Sequence, residues 1–231
     1  MDTDPSPTAP TPPAPDTVSG LRDALDRALA ARDRTAAISA ALSAVDSGSI
    51  AVADLYTLVL GPLMADTGSA WQAGATRVWE EHYATATVRT IVEALAPHVA
   101  QAAAQVPRRG ETALLACPPE EHHDLGLRML LDRFLMGGYD AHFLGADTPV
   151  TEICNAAEQL DATLVVLSAS THYHRVKLRE TVDALRRGLP AKTRIAVGGP
   201  AFVHEAESFA DLLLDAAELG LPGHAPHSEG A

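Results

Sequence analysis

The sequence predicts an α/β chain in which a four-helix bundle is followed by a doubly wound parallel sheet. Two observations carry this. Residues 18 to about 106 are rich in Ala and Leu, place apolar residues at helical spacing and contain few β-branched runs. Residues 107 to about 220 instead alternate short apolar runs with helical stretches, the pattern of parallel βαβ units. At 231 residues the chain is long enough for two such cores.

The elements follow in order. Residues 1–17 carry prolines at 5, 7, 10, 12, 13 and 15 with almost no apolar bulk. They bury too little surface to offset their ordering entropy, so a disordered tail is expected. After Ser19, the residues Leu21, Ala24, Leu25, Ala28 and Leu29 recur on one helical face. A second helix is predicted over Thr35–Val45, stopping near Ser47-Gly48, and a third from Ile50 to Ala65. A fourth starts at Thr76 as its cap, with Glu80 and Glu81 near its positive end, and stops before Pro97. Short connections between four helices suggest a bundle.

Pro107-Arg-Arg-Gly110 marks the boundary to the second part. There, strands are predicted at Thr112–Ala116, Asp140–Leu144, Thr163–Leu167 and Arg194–Val197, with helices at Leu125–Gly137, Val150–Leu160 and Val176–Arg187 between them. Residues 221–231, with His224 and His227, read as a second tail. Ligands of doubly wound sheets bind beyond the carboxyl ends of the strands, so those ends hold the candidate residues.

Bulk properties exclude several functions. The formal net charge of −13, from 17 basic and 30 acidic residues, speaks against a surface for nucleic-acid phosphates, and direct DNA binding is not expected. Cys117 and Cys154 lie far apart without CxxC spacing, which suggests neither a disulfide framework nor a zinc site. No apolar run reaches the roughly 18–20 residues that span a bilayer, and the acidic, proline-rich start is unlike a secretory signal, so a cytoplasmic protein without membrane contact is expected. No nucleophile with a base and an orienting group is apparent, and a non-enzymatic role is expected.

The loop after the first predicted strand reads Cys117-Pro-Pro-Glu120-Glu121-His122-His123-Asp124-Leu125-Gly126. It resembles the Asp/Glu-x-His-x-x-Gly pattern of Rossmann-like, flavodoxin-like cobalamin-binding domains in methionine synthase, mutases and corrinoid proteins, with Glu121, His123 and Gly126 in place and Asp124 beside them. Two further elements of such domains stand in order after later strands, Ser168-Ala-Ser170 and Gly198-Gly199. The resemblance covers about half the chain. It implies that His123 is the lower ligand of cobalt, that cobalamin's own nucleotide base is displaced, and that small residues (Gly126, Ser168–Ser170, Gly198-Gly199) leave room for it. Imidazole suits that role, and a carboxylate two residues away, Glu121, fixes its tautomer and raises its basicity.

In the helical part, Trp71 is followed after nine residues by Glu81-His82, with Val78 between. This spacing resembles the cap of light-sensing cobalamin regulators of the CarH and LitR type. The resemblance implies that Trp71, Val78, Glu81 and His82 cover the upper face of adenosylcobalamin. On one continuous helix Trp71, Val78 and His82 fall nearly in line, although Gly74 is a potential break. Trp79 is assigned to packing. Two departures stand out: no MerR-like DNA-binding domain precedes the bundle, and Gln72 occupies the position where some relatives carry a histidine.

A bundle joined directly to a Rossmann-like domain also resembles the photocobilins, which pair cobalamin with a bilin. His172, Tyr173, His174 and Arg175, with Lys177 nearby, gather aromatic and cationic groups beyond a strand end and are the candidate site for biliverdin. The resemblance implies a cobalamin photoreceptor in which light breaks the cobalt–carbon bond, with output through self-association (a dimer or more) or a downstream protein partner. The alternative is a corrinoid methyl carrier of a methyltransferase system.

Overall fold

The computed structural model describes residues 12–202 and 209–214. Most of the proline-rich segment and all of residues 221–231 lie outside the described residues. The chain divides into two compact units, residues 1–91 and 92–231.

The first unit begins with helix α1 (Pro15–Ala31). It starts inside the stretch expected to be disordered, because Pro15 occupies the helix start, where a missing N–H costs nothing and φ is already set. Leu21, Leu25 and Ala28 are its buried face, as the spacing predicts. Helix α2 (Arg34–Asp46) is capped by the Asp33 carboxylate, which accepts from Ala36 N at 2.9 Å. The third predicted helix is longer and irregular. Its path runs through α3 (Val52–Asp54), a π-helical segment (Leu55–Leu60) and α4 (Gly61–Gln72). Pro62 explains the wide turn: it has no N–H to donate four residues back, and Gly61 N reaches the Tyr56 carbonyl, five back, instead. Leu55, Tyr56, Val59, Leu60 and Leu63 along this path are buried.

Helix α5 (Val78–Ala94) starts two residues later than predicted, and Glu80 accepts from the Arg77 N–H at its entry. Gly74, at φ +72°, separates α4 from α5. The expected alignment of Trp71 with Val78 and His82 on one helix is therefore absent. Pro97 does not end the helical region; it sits in the first turn of a further helix, α6 (Ala96–Ala103).

The second unit is a five-stranded parallel sheet among the described residues, in the order β2-β1-β3-β4-β5. The strands are β1 (Thr112–Ala116), β2 (Asp140–Gly145), β3 (Leu164–Ser168), β4 (Arg194–Gly198) and β5 (Leu212–Leu213). The sequence reading missed β5, which is only two residues long. Helices α7 (Leu125–Met136), α8 (Val150–Gln159) and α9 (His172–Gly188) cross between strands. Both faces are covered. Leu114, Val165, Leu167, Ile195 and Val197 pack on Ile153, Ala157, Leu178, Val182 and Leu185 of α8 and α9. Ala113, Leu115, Leu164, Val166 and Ala196 pack on Leu127, Leu130 and Phe134 of α7. Strands buried on both faces read as continuous apolar runs, which is why they were visible in the sequence. The chain reverses its winding between β1 and β3, so the carboxyl ends of these strands form the topological switch point.

One buried charge group ties α7 in place. Arg128 donates through Nε and Nη2 to Glu93 (3.0 and 3.3 Å) and through Nη1 to the buried Asp132 (2.5 Å). Arg128→Ala would remove the cation facing a buried carboxylate and is expected to lower unfolding stability by about 3 kcal/mol; a urea titration of the two proteins checks this, and an unchanged midpoint would refute it.

Candidate functional site

The site is assembled from three loops at the switch point. The β1–α7 loop bends at Glu120, a non-glycine residue at φ +72°. Its N–H is held by the Asp147 carboxylate at 2.8 Å. Glu121 N donates to the Pro118 carbonyl at 3.1 Å, and the Glu121 carbonyl accepts from Asp147 N at 2.9 Å. These bonds turn the Glu121 side chain inward, where it is fully buried.

An isolated buried carboxylate is costly, so its partners decide whether this arrangement stands. Oε1 accepts from the His123 backbone N–H at 2.9 Å and from His123 Nδ1 at 2.7 Å. Oε2 accepts from the Ser170 N–H and hydroxyl, both at 2.7 Å, and lies 3.2 Å from His174 Nδ1. Burial pushes the Glu121 pKa up, but the hydrogen bonds from His123 and Ser170 outweigh it and hold the carboxyl at about 2. The group is therefore an anion that can only accept, which places a proton on His123 Nδ1. A metal would then be taken by Nε2. The His123 side chain is 69% exposed although its anchor is buried, so the ring projects from the protein on a fixed root. Among the described residues, Glu121, His123 and His174 bring metal-ligating atoms within 4.8 Å of one another.

Asp124 stands at the start of α7, where Arg128 N donates to its carbonyl at 2.8 Å. Ser170 joins the hydrogen-bonded group, whereas Ser168, two residues earlier, is buried at the end of β3. The glycines divide by cause. Gly199, at φ +100°, passes so close to the β3 end that an added Cβ would lie 2.5 Å from the Ala169 carbonyl oxygen. Gly198 is crowded by Leu214 of the chain itself. Gly126 differs: an added Cβ would meet nothing within 4 Å, yet glycine inside a helix costs about 1 kcal/mol relative to alanine. The chain's own packing gives no reason for it.

The remaining predicted residues lie elsewhere. Trp71 (46% exposed) is near the end of α4, and Val78 (52% exposed) opens α5. Glu81 Oε1 accepts from the Thr85 hydroxyl at 2.7 Å, and its other oxygen is 3.5 Å from His82 Nε2. All four belong to the first unit. Tyr173 donates to Glu120 Oε2 at 2.7 Å, Arg175 lies over the Phe202 ring at 5.8 Å, and His172 is exposed. His174 points into the Glu121 group and does not share the exposure of its neighbours. The sequence reading missed this and the roles of Glu120 and Asp147. No motif marks them; only the four-residue spacing from Ser170 to His174 places both near one helix start.

Comparison with known proteins decides the cofactor class. Residues 111–220 match a family model described as B12 binding domain, and residues 21–96 match a second model of the same description. Both segments are thus similar to B12 binding domains. The chain is similar to two Myxococcus xanthus proteins named HTH-type transcriptional repressor. With CarH it is 32% identical over 62% of this chain and 46% of the relative. With CarA it is 35% identical over 53% of this chain and 40% of the relative. The chain thus spans less than half the length of these curated relatives. In fold it is similar to the monomethylamine corrinoid protein of Methanosarcina barkeri, with a TM-score of 0.71, 19% identity, and coverage of 87% of this chain and 95% of that one.

The residues of the segment 111–220 fit a cobalamin. An exposed imidazole rooted on a buried carboxylate is the donor set a cobalt ligand needs. Gly126, on the helix that begins just after His123, is exposed and leaves open space beside that ring. Among the described residues, no helix is long and apolar enough to cross a membrane.

Proposed function

We propose that this chain is a light-responsive sensor that binds adenosylcobalamin, with His123 Nε2 as the lower ligand of cobalt. The observation that carries the ligand assignment is the contrast between a fully buried Glu121 and a largely exposed His123 joined by a 2.7 Å hydrogen bond. Glu121 orients the ring and raises its basicity; Ser170 closes the other side of the carboxylate. Asp124, Gly126, Ser168, Gly198 and Gly199 line the path of the displaced nucleotide tail. Trp71, Val78, Glu81 and His82 cover the upper face, and the exposure of Trp71 and Val78 supports that role, since both apolar side chains lack a full protein covering. When bound, the cofactor supplies a cobalt–carbon bond that visible light breaks. His123 would keep the cofactor attached throughout, and Trp71, Val78, Glu81 and His82 are the residues whose contacts would change when the upper ligand leaves.

The charge balance supports an output through self-association or a protein partner without direct DNA contact. The similarity to two named repressors supports a regulatory role over an enzymatic one. The reading extends to a bilin held at the start of α9 by His172, Tyr173 and Arg175; His174, the fourth candidate of that stretch, faces Glu121 instead. The second reading, a corrinoid methyl carrier, is favoured by the fold shared with the monomethylamine corrinoid protein.

His123→Ala is expected to abolish the histidine-ligated absorption spectrum and to weaken cobalamin binding about 10–100-fold; an unchanged spectrum would refute the ligand assignment. Illumination of the adenosylcobalamin-loaded protein with green light should give an aquo- or hydroxo-like spectrum together with a change in mass or shape by light scattering. Photolysis without that change would favour the carrier. After mixing with biliverdin and desalting, a far-red band should remain and weaken in Arg175→Ala; no retained band would remove the bilin from the reading.

A further inference from the structure

Two imidazoles, not one, stand on the Glu121 carboxylate. His123 Nδ1 occupies one oxygen at 2.7 Å, and His174 Nδ1 lies 3.2 Å from the other. Their rings are 6.1 Å apart and inclined at 59°. His174 is in the first turn of α9, where Thr171 caps the helix by accepting from His174 N. That cap also brings the Thr171 hydroxyl within 2.9 Å of His174 Nδ1, and the Ser170 hydroxyl lies 3.1 Å away. The Ser170 proton is committed to Glu121 Oε2, so its oxygen acts as an acceptor, 3.1 Å from both His174 Nδ1 and His123 Nδ1. With its proton on Nδ1, the His174 ring faces the Thr171 oxygen at 2.9 Å, the Ser170 oxygen at 3.1 Å and the Glu121 carboxylate at 3.2 Å. The side chain is 16% exposed, against 69% for His123. His174 is thus built into the support of the site.

We infer that His174 is a positioning residue that weakens the grip of His123 on cobalt by taking a share of the Glu121 charge. The inference rests on His123 being the cobalt ligand. Donors on the two oxygens of one carboxylate compete for its electron density. Each hydrogen bond on Oε2 leaves less charge on Oε1 for the His123 Nδ1–H, and a less polarised Nδ1–H makes Nε2 a weaker donor. The Ser170 and His123 backbone N–H groups and the Ser170 hydroxyl hold the carboxylate in place without His174. Removing the His174 ring therefore concentrates charge on His123 and leaves the anchor standing. The sign separates this from a structural role: damage to the loop would loosen the cobalt–histidine bond, whereas loss of charge sharing tightens it.

The test compares wild type, His174→Ala, His174→Asn and His123→Ala, each loaded with methylcobalamin. Asparagine puts an amide nitrogen where the imidazole carries Nδ1, so it restores the donor. The ratio of histidine-ligated to unligated cofactor is read by absorption over a temperature range in which both are present. It is expected to rise about three- to tenfold in His174→Ala and to return to within about twofold of wild type in His174→Asn. In addition, 15N NMR of the cobalamin-free protein should show the His174 proton on Nδ1. An unchanged or lowered ratio in His174→Ala, or a proton on Nε2, would overturn the inference. If His123→Ala loses the ligated form while His174→Ala matches wild type, only the role of His174 fails. A ligated form that survives in His123→Ala would overturn the ligand assignment and this inference together.

Discussion

A single buried anion organises the second unit's functional end. Glu121 has no solvent to stabilise its charge, and that role passes to groups contributed by two separate loops, after β1 and after β3. Neither loop can move far without stripping a donor from a buried carboxylate, a loss of several kcal/mol. The result is an exposed imidazole whose root does not share the mobility of the surface. Ligand preorganisation of this kind lets a side chain meet a metal in one orientation at little entropic cost.

The parallel sheet makes that arrangement reachable. Reversal of the winding between β1 and β3 leaves their carboxyl ends adjacent, with no crossover helix covering them. Residues 121 and 170, far apart in sequence, then lie within one hydrogen bond. Close approach of the β4 end demands Gly199 with its positive φ, for the chain's own geometry. Gly126 has no such crowding: an added Cβ there would meet nothing within 4 Å.

The first unit follows a different logic. Its helices are held by small and aliphatic side chains: Ala37 and Ala41 of α2 are fully buried, as are Leu25, Leu55, Val59 and Leu60. The π-helical turn at Leu55–Leu60 comes from the proline that follows it. Trp71 and Val78 remain about half exposed at the ends of helices interrupted by Gly74.

The sequence alone determined the fold class, the order of the first four strands and the three helices between them, and the pairing of Glu121 with His123. Each rests on local information: doubly buried strands are continuous apolar runs, helices repeat every 3.6 residues, and two residues of chain keep a carboxylate within reach of an imidazole. The finer boundaries escaped where a local signal has two meanings. Pro15 read as part of a disordered tail and Pro97 as a helix stop, yet each serves at a helix start, where no N–H is needed. What only the tertiary structure decided is the company Glu121 keeps. His174 looked like one more cation in an exposed aromatic stretch. Its turn toward the buried carboxylate depends on β3 lying beside β1 and on the Thr171 cap that starts α9, and neither a strand neighbour nor a rotamer is encoded in residue spacing.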